Sequence, residues 1–335
     1  MMPITHQCIV TLTFALLLSG CAECSRPQTQ NETTTLVAGR GYACALRGGA
    51  VTCASSHTSA RYVVALPGPA VSVATAYFKT CAVLEDGRIF CWADAGRDGP
   101  ETAPLEAPVS DATAIFMDGI ETSAGRGGPT IYIVQACALR RDGRVSCWVG
   151  NGAVGDGADP PLALDTGPGA VQALAFFAEP SGPNWCAMME GGGVRCGGHG
   201  PDGPVRFDTG VTARSLIDTR CAEVAGGTVQ CWDWTGTSSV AGLAVSDELV
   251  DVAQVAPPCA LKTDGTVLCW GQAYDDDALH NVLTKRTPVK LPGQTVAIAA
   301  AAGARGPVCA LSSEGDVRCF DPSEGPPDSV LMRIR

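Results

Sequence analysis

The chain has 335 residues, 46% hydrophobic and 17% charged, with a formal net charge of −11 from 23 basic and 34 acidic side chains. Such a composition belongs to a folded globular protein rather than a disordered one. It contains no Lys/Arg cluster, so it lacks the basic footprint that neutralises phosphates, and nucleic acid is excluded as a partner class.

Residues 1–20 read as a targeting segment. Ile9 to Leu18, "IVTLTFALLL", is an apolar run too short to span a bilayer and suited to a signal h-region. It ends in Leu18-Ser19-Gly20-Cys21, which resembles a bacterial lipobox, although the preceding "MMPITHQ" has no Lys or Arg. The resemblance implies that the Cys21 thiol is lipidated and that the mature chain starts there; an ordinary secretory signal is the alternative. Residues 21–33 are polar and include a proline, the composition of a tether between a membrane surface and a folded body. Ala22 after Cys21 leans toward the outer membrane.

From residue 34 onward the chain writes one pattern seven times. The copies are "CALRGGAVTC" (44–53), "CAVLEDGRIFCW" (81–92), "CALRRDGRVSCW" (137–148), "CAMMEGGGVRC" (186–196), "CAEVAGGTVQCW" (221–232), "CALKTDGTVLCW" (259–270) and "CALSSEGDVRCF" (309–320). They contain 14 of the 17 cysteines: Cys44 and Cys53, Cys81 and Cys91, Cys137 and Cys147, Cys186 and Cys196, Cys221 and Cys231, Cys259 and Cys269, Cys309 and Cys319. Only Cys8, Cys21 and Cys24 lie outside the pairs, which suits pairwise use in an oxidising compartment.

Each copy predicts a β-hairpin. With Arg141-Asp142-Gly143 as the loop, a type I turn followed by a left-handed glycine, Arg140 faces Arg144 and Cys137 falls opposite Cys147. That is a non-hydrogen-bonded site, with Cα atoms about 4.5 Å apart, within reach of a disulfide. The first copy is one residue shorter, yet its Gly48-Gly49 suits a two-residue type I′ turn, and Cys44 again faces Cys53. Buried free thiols are the alternative; zinc needs clustered ligands, and the histidines (His6, His57, His199, His280) stand beside no pair, so no metal or other cofactor is expected.

Between hairpins lie two further apolar-alternating segments, for example "YVVAL" (62–66) with "AVSVAT" (70–75), and "PVRF" (204–207) with "RSLI" (214–217). First cysteines recur every 35 to 56 residues, close to the propeller-blade period of about 40–50. The expectation is an all-β, seven-bladed β-propeller over residues 34–335 with four-stranded antiparallel blades. The N-terminal "TTLVAG" (34–39) and C-terminal "SVLMRI" (329–334) would share one blade and close the ring.

The residues Cys-Ala-Leu, Asp-Gly and Cys-Trp, preceded by a Val-x-x-Val-Ala strand, resemble the regulator-of-chromosome-condensation repeat in its cysteine-rich bacterial secreted form. The resemblance covers nearly all of the mature chain. The His of the family's Gly-x-x-His is missing from all seven copies, and Trp-Gly survives only at Trp270-Gly271. The family implies a propeller that binds proteins; its guanine-nucleotide exchange activity does not suit an exported chain.

The residue after the second cysteine (Trp92, Trp148, Trp232, Trp270, Phe320) points away from the disulfide and is expected to pack blade against blade. Strand parity puts the Asp-Gly turns on one end of the propeller and the connections of variable length on the other, the expected binding face. That face is assigned Trp185, Trp234, Tyr274, Asp275, Asp276, Asp277, His280 and Arg305. The "YDDD" loop reads as a calcium site or as a solvated acidic loop. Aromatic residues beside acidic loops suit a basic protein partner. The expected function is a monomeric, non-catalytic, lipid-anchored binding module. The alternatives are a propeller hydrolase or lyase acting on envelope glycan or peptide, and a secreted inhibitor of an extracellular enzyme; no G-x-S-x-G or H-E-x-x-H motif is present.

Overall fold

Alternating apolar residues punctuated by Gly, Asp and Pro make short strands and tight turns, and the described part of the chain contains no helix. The computed structural model describes residues 34–335 except 56–60, 94–102, 124–129, 151–160, 178–183, 201–202, 218–220, 227, 235–239, 247–250, 257–258, 271–285, 290, 301–306, 322–331 and 334–335.

The strands form antiparallel meanders. β1 (Thr35–Gly39), β2 (Tyr42–Arg47), β3 (Ala50–Ser55) and β4 (Arg61–Val63) make the first sheet in that order. β5 (Ala70–Ala76), β6 (Lys79–Leu84), β7 (Ile89–Ala93) and β8 (Leu105–Glu106) make the second; β9 (Ala112–Ser123), β10 (Thr130–Arg140), β11 (Val145–Gly150) and β12 (Leu162–Ala163) make the third. A seven-stranded sheet follows: β13 (Val171–Phe177), β14 (Asn184–Met189), β15 (Gly193–Gly200), β16 (Gly203–Leu216), β17 (Cys221–Val224), β18 (Val229–Trp234) and β19 (Val240–Ser246). The last two sheets are β20 (Val252–Ala256), β21 (Cys259–Lys262), β22 (Val267–Trp270), β23 (Arg286–Val289), and β24 (Thr295–Ala300), β25 (Val308–Ser312), β26 (Asp316–Phe320), β27 (Met332–Arg333). Five of these sheets are the four-stranded antiparallel blades of a β-propeller, and the seven-stranded one joins two such meanders through the shared strand β16.

Two expectations are corrected. Among the described residues the sheets number six, not seven, because residues 204–207 and 214–216 belong to the single strand β16. Asp208 pairs with Arg195 and Thr212 with Gly193, so the crossing between them stays on the β15 ladder and joins two cysteine hairpins in one sheet. The terminal strands also do not share a blade: β1 is the first strand of the first sheet and β27 the fourth of the last. The reason is that each inter-hairpin interval divides, giving an outer strand to the preceding blade and an inner strand to the next. β1 therefore already has its own hairpin and needs no C-terminal partner.

The hairpins have the expected register, with Cys44 opposite Cys53, Cys137 opposite Cys147 and Cys221 opposite Cys231. Gly48 and Gly49 have φ of 55° and 81°, as a type I′ turn requires, while Gly143 sits at 77°. Among the described residues six disulfides are formed: Cys44–Cys53, Cys81–Cys91, Cys137–Cys147, Cys186–Cys196, Cys259–Cys269 and Cys309–Cys319. Their Cα–Cα separations of 3.9–4.0 Å are those of non-hydrogen-bonded pairs drawn slightly closer than the 4.5 Å expected. Disulfides in this number belong to an oxidising compartment.

Each disulfide packs against the cysteine hairpin that follows it or the strands beside that hairpin. Trp92 is fully buried on Cys44 and Cys53, Trp148 lies on Cys81 and Cys91, Trp232 on Cys186 and Cys196, and Phe320 on Cys259 and Cys269. Val252 and Ala260 pack with Cys221. The last bridge, Cys309–Cys319, is covered by Leu36, Ala38, Ala43 and Ala54 of the first sheet.

Candidate functional site

Two ends of the propeller differ in construction. At one end the hairpin turns seal the blades together. The carbonyls of four turn glycines accept hydrogen bonds from the strand that follows the hairpin unit: Ala70 N to Gly49 O at 2.8 Å, Ala112 N to Gly87 O at 3.0 Å, Val171 N to Gly143 O at 3.0 Å, and Ala213 N to Gly192 O at 2.8 Å. The carbonyl just before that strand accepts in turn from its own hairpin, as in Glu85 N to Pro69 O at 3.0 Å and Glu190 N to Ala170 O at 2.8 Å. A side chain on Gly143 would lie 2.6 Å from Ala170 Cβ, and one on Gly87 would lie 2.9 Å from Asp111 Cα. The Asp-Gly repeat is thus a blade-to-blade latch as well as a turn.

Ion pairs reinforce the same end. Asp86 pairs with Arg88, Asp111 with Arg141, Asp142 with Arg144, Asp165 with Arg206, Asp208 with Arg195, and Asp316 with Arg333. Arg195 also donates to the carbonyls of Thr166 and Pro168 at 2.9 and 3.0 Å, holding the crossing before β13. The Arg88 backbone N–H holds the Asp86 carboxyl below its ordinary range, as the Thr266 N–H does for Asp264 and the Arg333 side chain for Asp316.

Inner strands carry a feature the sequence did not announce. Six of them have a register shift at the second residue, skipping Val71, Thr113, Gln172, Arg214, Ala253 and Val296, which are all exposed. The next residue turns to the neighbouring blade: the Ser72 hydroxyl accepts from Ile115 N at 3.2 Å, and Gln254 makes a paired bond to Ile298, donating from Nε2 to O at 2.7 Å and accepting at Oε1 from N at 3.0 Å. A period-two reading counts these positions as ordinary strand and so misses the shift.

The opposite end carries the connections of variable length. The gap from β1 to β2 is two residues, Arg40 and Gly41, whereas that from Trp270 to Arg286 spans fifteen residues, 271–285. Its described groups are mostly structural: the Tyr42 hydroxyl, buried, bonds to the hydroxyls of Thr75 and Thr80 across the first two blades.

The residues assigned to that face divide as follows. Trp185 is 4% exposed and packs with Cys137, Leu139 and Val145 of the preceding blade, so it belongs to the core. The reason lies in its partner: Trp185 faces Gly197, the residue after Cys196, where other copies have Trp. The indole reaches across from β14 and occupies that slot; a Cβ on Gly197 would lie 2.5 Å from Trp185 Cζ2. Trp234 closes β18 opposite Val240, and its side chain lies outside the described residues. Tyr274, Asp275, Asp276, Asp277, His280 and Arg305, and the lipidation residue Cys21, also lie outside them. Among the described residues no group of three or more His, Cys, Asp or Glu is placed to hold a metal ion, and no helix is long and apolar enough to cross a membrane.

No family model and no curated protein matches the chain. Solved structures do. YCF48 from Cyanidioschyzon merolae aligns over 88% of this chain and 98% of its own at 12% identity, with a TM-score of 0.50. YCF48 bound to D1 peptide aligns over 84% and 90% at 14% identity with a TM-score of 0.48. Prp20p from Saccharomyces cerevisiae, described with its binding to Gsp1p and histones, aligns over 90% of this chain and 76% of its own at 15% identity with a TM-score of 0.40. At these identities the likeness is one of fold.

Proposed function

We propose that the chain is an exported, lipid-anchored β-propeller that binds a protein partner, without catalysis, through the long-loop end of the ring. Residues 1–20 act as the signal, Cys21 carries the lipid, 21–33 form the tether, and 34–335 make a monomeric propeller ring, built on seven cysteine hairpins, at the outer membrane. Support for the ring comes from seven of the apolar clusters, each packing one cysteine pair against the following cysteine hairpin or its neighbouring strands, the last pair against the first sheet.

One observation carries the binding role. Among the described residues the turn-glycine latches and the six Asp–Arg pairs sit at the Asp-Gly end, and the connections free to vary, from two to fifteen residues, sit at the other. A scaffold sealed at one end and variable at the other is built to present loops. There "YDDD" (274–277), His280 and Trp234 supply acidic and aromatic groups for a basic protein surface, and Arg305 a cation for a carboxylate at its rim.

The test is affinity capture from envelope extract with the intact mature chain and with variants shortened in 150–160 and 272–285. Capture of one partner, lost on shortening the loops while the variants keep wild-type unfolding midpoints, is the expected result. Capture indifferent to both loops, or turnover of envelope glycan or peptide by the purified chain, overturns the reading.

A further inference from the structure

We infer that the Asp-Gly end of the propeller lies against the lipid surface, so that the long-loop end points away from it. The inference rests on the lipid-anchor reading above and adds the orientation that it leaves open. The first observation is where the chain joins the fold. Thr35, at the start of β1, pairs with Leu46, one residue before Arg47 and the Gly48-Gly49 turn. β1 therefore starts at the Asp-Gly end and runs toward the other. It is also an innermost strand: Val37 packs with Ala70 and Val73 of β5, and Leu36 and Ala38 with Ala297 of β24.

Length makes that position decisive. From Cys21 to Thr34 the chain has 13 residue steps, about 43–47 Å if fully extended and about 20 Å in root-mean-square span for its polar composition. To bring the long-loop end to the bilayer, the chain would cross three strand spacings of about 4.8 Å from the innermost strand to the rim. It would then descend a blade edge of five to six residues, close to 20 Å at about 3.3 Å each. That path of about 35–40 Å consumes nearly all the extended length and all the conformational freedom of the segment. With the Asp-Gly end inward, the relaxed span suffices.

The surface at this end suits a bilayer. Val71 on β5 and Val296 on β24, each 49% exposed, sit on the two inner strands that flank β1, beside the point where the chain joins. The carboxylates of Asp86, Asp111, Asp142, Asp165, Asp208 and Asp316 are each paired with an arginine, which lowers the repulsion between this end and an anionic headgroup layer, while Glu85, Glu190 and Glu314 stay exposed.

The test uses the mature chain with Cys24→Ser, coupled through the Cys21 thiol to a maleimide phosphatidylethanolamine in phosphatidylcholine–phosphatidylglycerol vesicles that also carry a rhodamine lipid. p-Azidophenylalanine replaces exposed Glu314 at the Asp-Gly end or exposed Arg40 at the other, and receives a donor dye. Greater loss of donor emission from position 314 than from position 40 is expected, and a Gly/Ser insertion that doubles residues 22–33 should shrink the difference. Equal quenching, stronger quenching at 40, or a difference untouched by the insertion overturns the inference. Because the coupling is chemical, this outcome is separate from lipidation in cells. Failure of an alkyne-fatty-acid label to depend on Cys21 would sink the lipoprotein reading alone.

Discussion

Trp185 and Gly197 face each other across β14 and β15, and the indole fills the space that the glycine leaves empty. In the second blade the same pair of positions holds Thr80 and Trp92, with the large residue on the other strand. Both indoles cover the disulfide of the preceding blade. The slot is fixed by the neighbour's sulfur atoms, and either strand can supply the ring. Trp185→Ala should lose about 3–5 kcal/mol of unfolding free energy. Gly197→Trp alone should also destabilise, because two rings then compete for one space. The double variant Trp185→Ala, Gly197→Trp should be more stable than either single one, as read from denaturant midpoints; strict additivity of the two losses would refute the shared slot.

The turn glycines should not be equivalent. Gly143 has φ of 77°, and a Cβ there would lie 2.6 Å from Ala170 Cβ in the next blade. Gly226 has φ of 88° but nothing within 4 Å of its Cβ position. Gly226→Ala then costs only the left-handed backbone, about 1 kcal/mol. Gly143→Ala adds the collision and displaces the Val171 N–H from the Gly143 carbonyl, so it should cost about 1–3 kcal/mol more. Thermal or urea denaturation of the two variants decides; equal losses would remove the latch.

Much of this was legible in the sequence, for a definite reason. Period-two geometry ties the cysteine spacing to the turn, so Gly48-Gly49 in a shortened copy reports the same sulfur pairing as Arg141-Asp142-Gly143 in a longer one. Non-local choices were not legible. "YVVAL" and "AVSVAT" read as two strands of one four-stranded unit, but their connection crosses between blades, since Ala70 bonds to Gly49 rather than to residues 62–66. The same misreading put both termini in one blade. Trp185 looked like a surface aromatic because its partner Gly197 is silent in sequence, and the strand shifts at Val71 and Val296 leave no residue signature at all.

Gln254 offers a sharp test of the inner ring. Its amide bonds both backbone groups of Ile298 in the following blade. Gln254→Leu keeps the bulk and leaves an N–H and a C=O without those partners, for an expected loss of about 1–3 kcal/mol. Gln254→Glu keeps the acceptor for Ile298 N and loses the donor to Ile298 O, so its loss should grow as the carboxylate ionises and meets that carbonyl. A Leu variant as stable as wild type in urea would show that the bond is dispensable.

Acid should loosen the Asp-Gly end. Asp86, Asp264 and Asp316 each have a folded-state pKa below the ordinary value, the first two through backbone N–H donors and the third through Arg333. A carboxyl so shifted binds fewer protons folded than unfolded. Its contribution is complete above about pH 4, the unfolded value, and is lost as pH falls through the lower folded one. Urea midpoints should therefore drop on going below about pH 4, and Asp264→Asn or Asp316→Asn should flatten the drop. A variant with the wild-type slope would release that residue from the account.

The disulfides should matter twice, once to the unfolded chain and once to the packing. Cys44–Cys53 closes a loop of sequence separation 9, which in the chain-entropy model gives at most about 2–3 kcal/mol. The same sulfurs lie under Trp92 of the next blade, so Cys44→Ala with Cys53→Ala also removes contact surface from a fully buried indole. Cys44→Ser with Cys53→Ser removes that surface too and buries two hydroxyls, and should be worse by about 1–3 kcal/mol per unpaired group. Tryptophan emission should report the difference, because loosening around Trp92 admits water and shifts it to the red before global unfolding. Emission unchanged in both double variants, with stability lost only by the entropic amount, would mean that the bridge works within its hairpin and that the blades hold together without it.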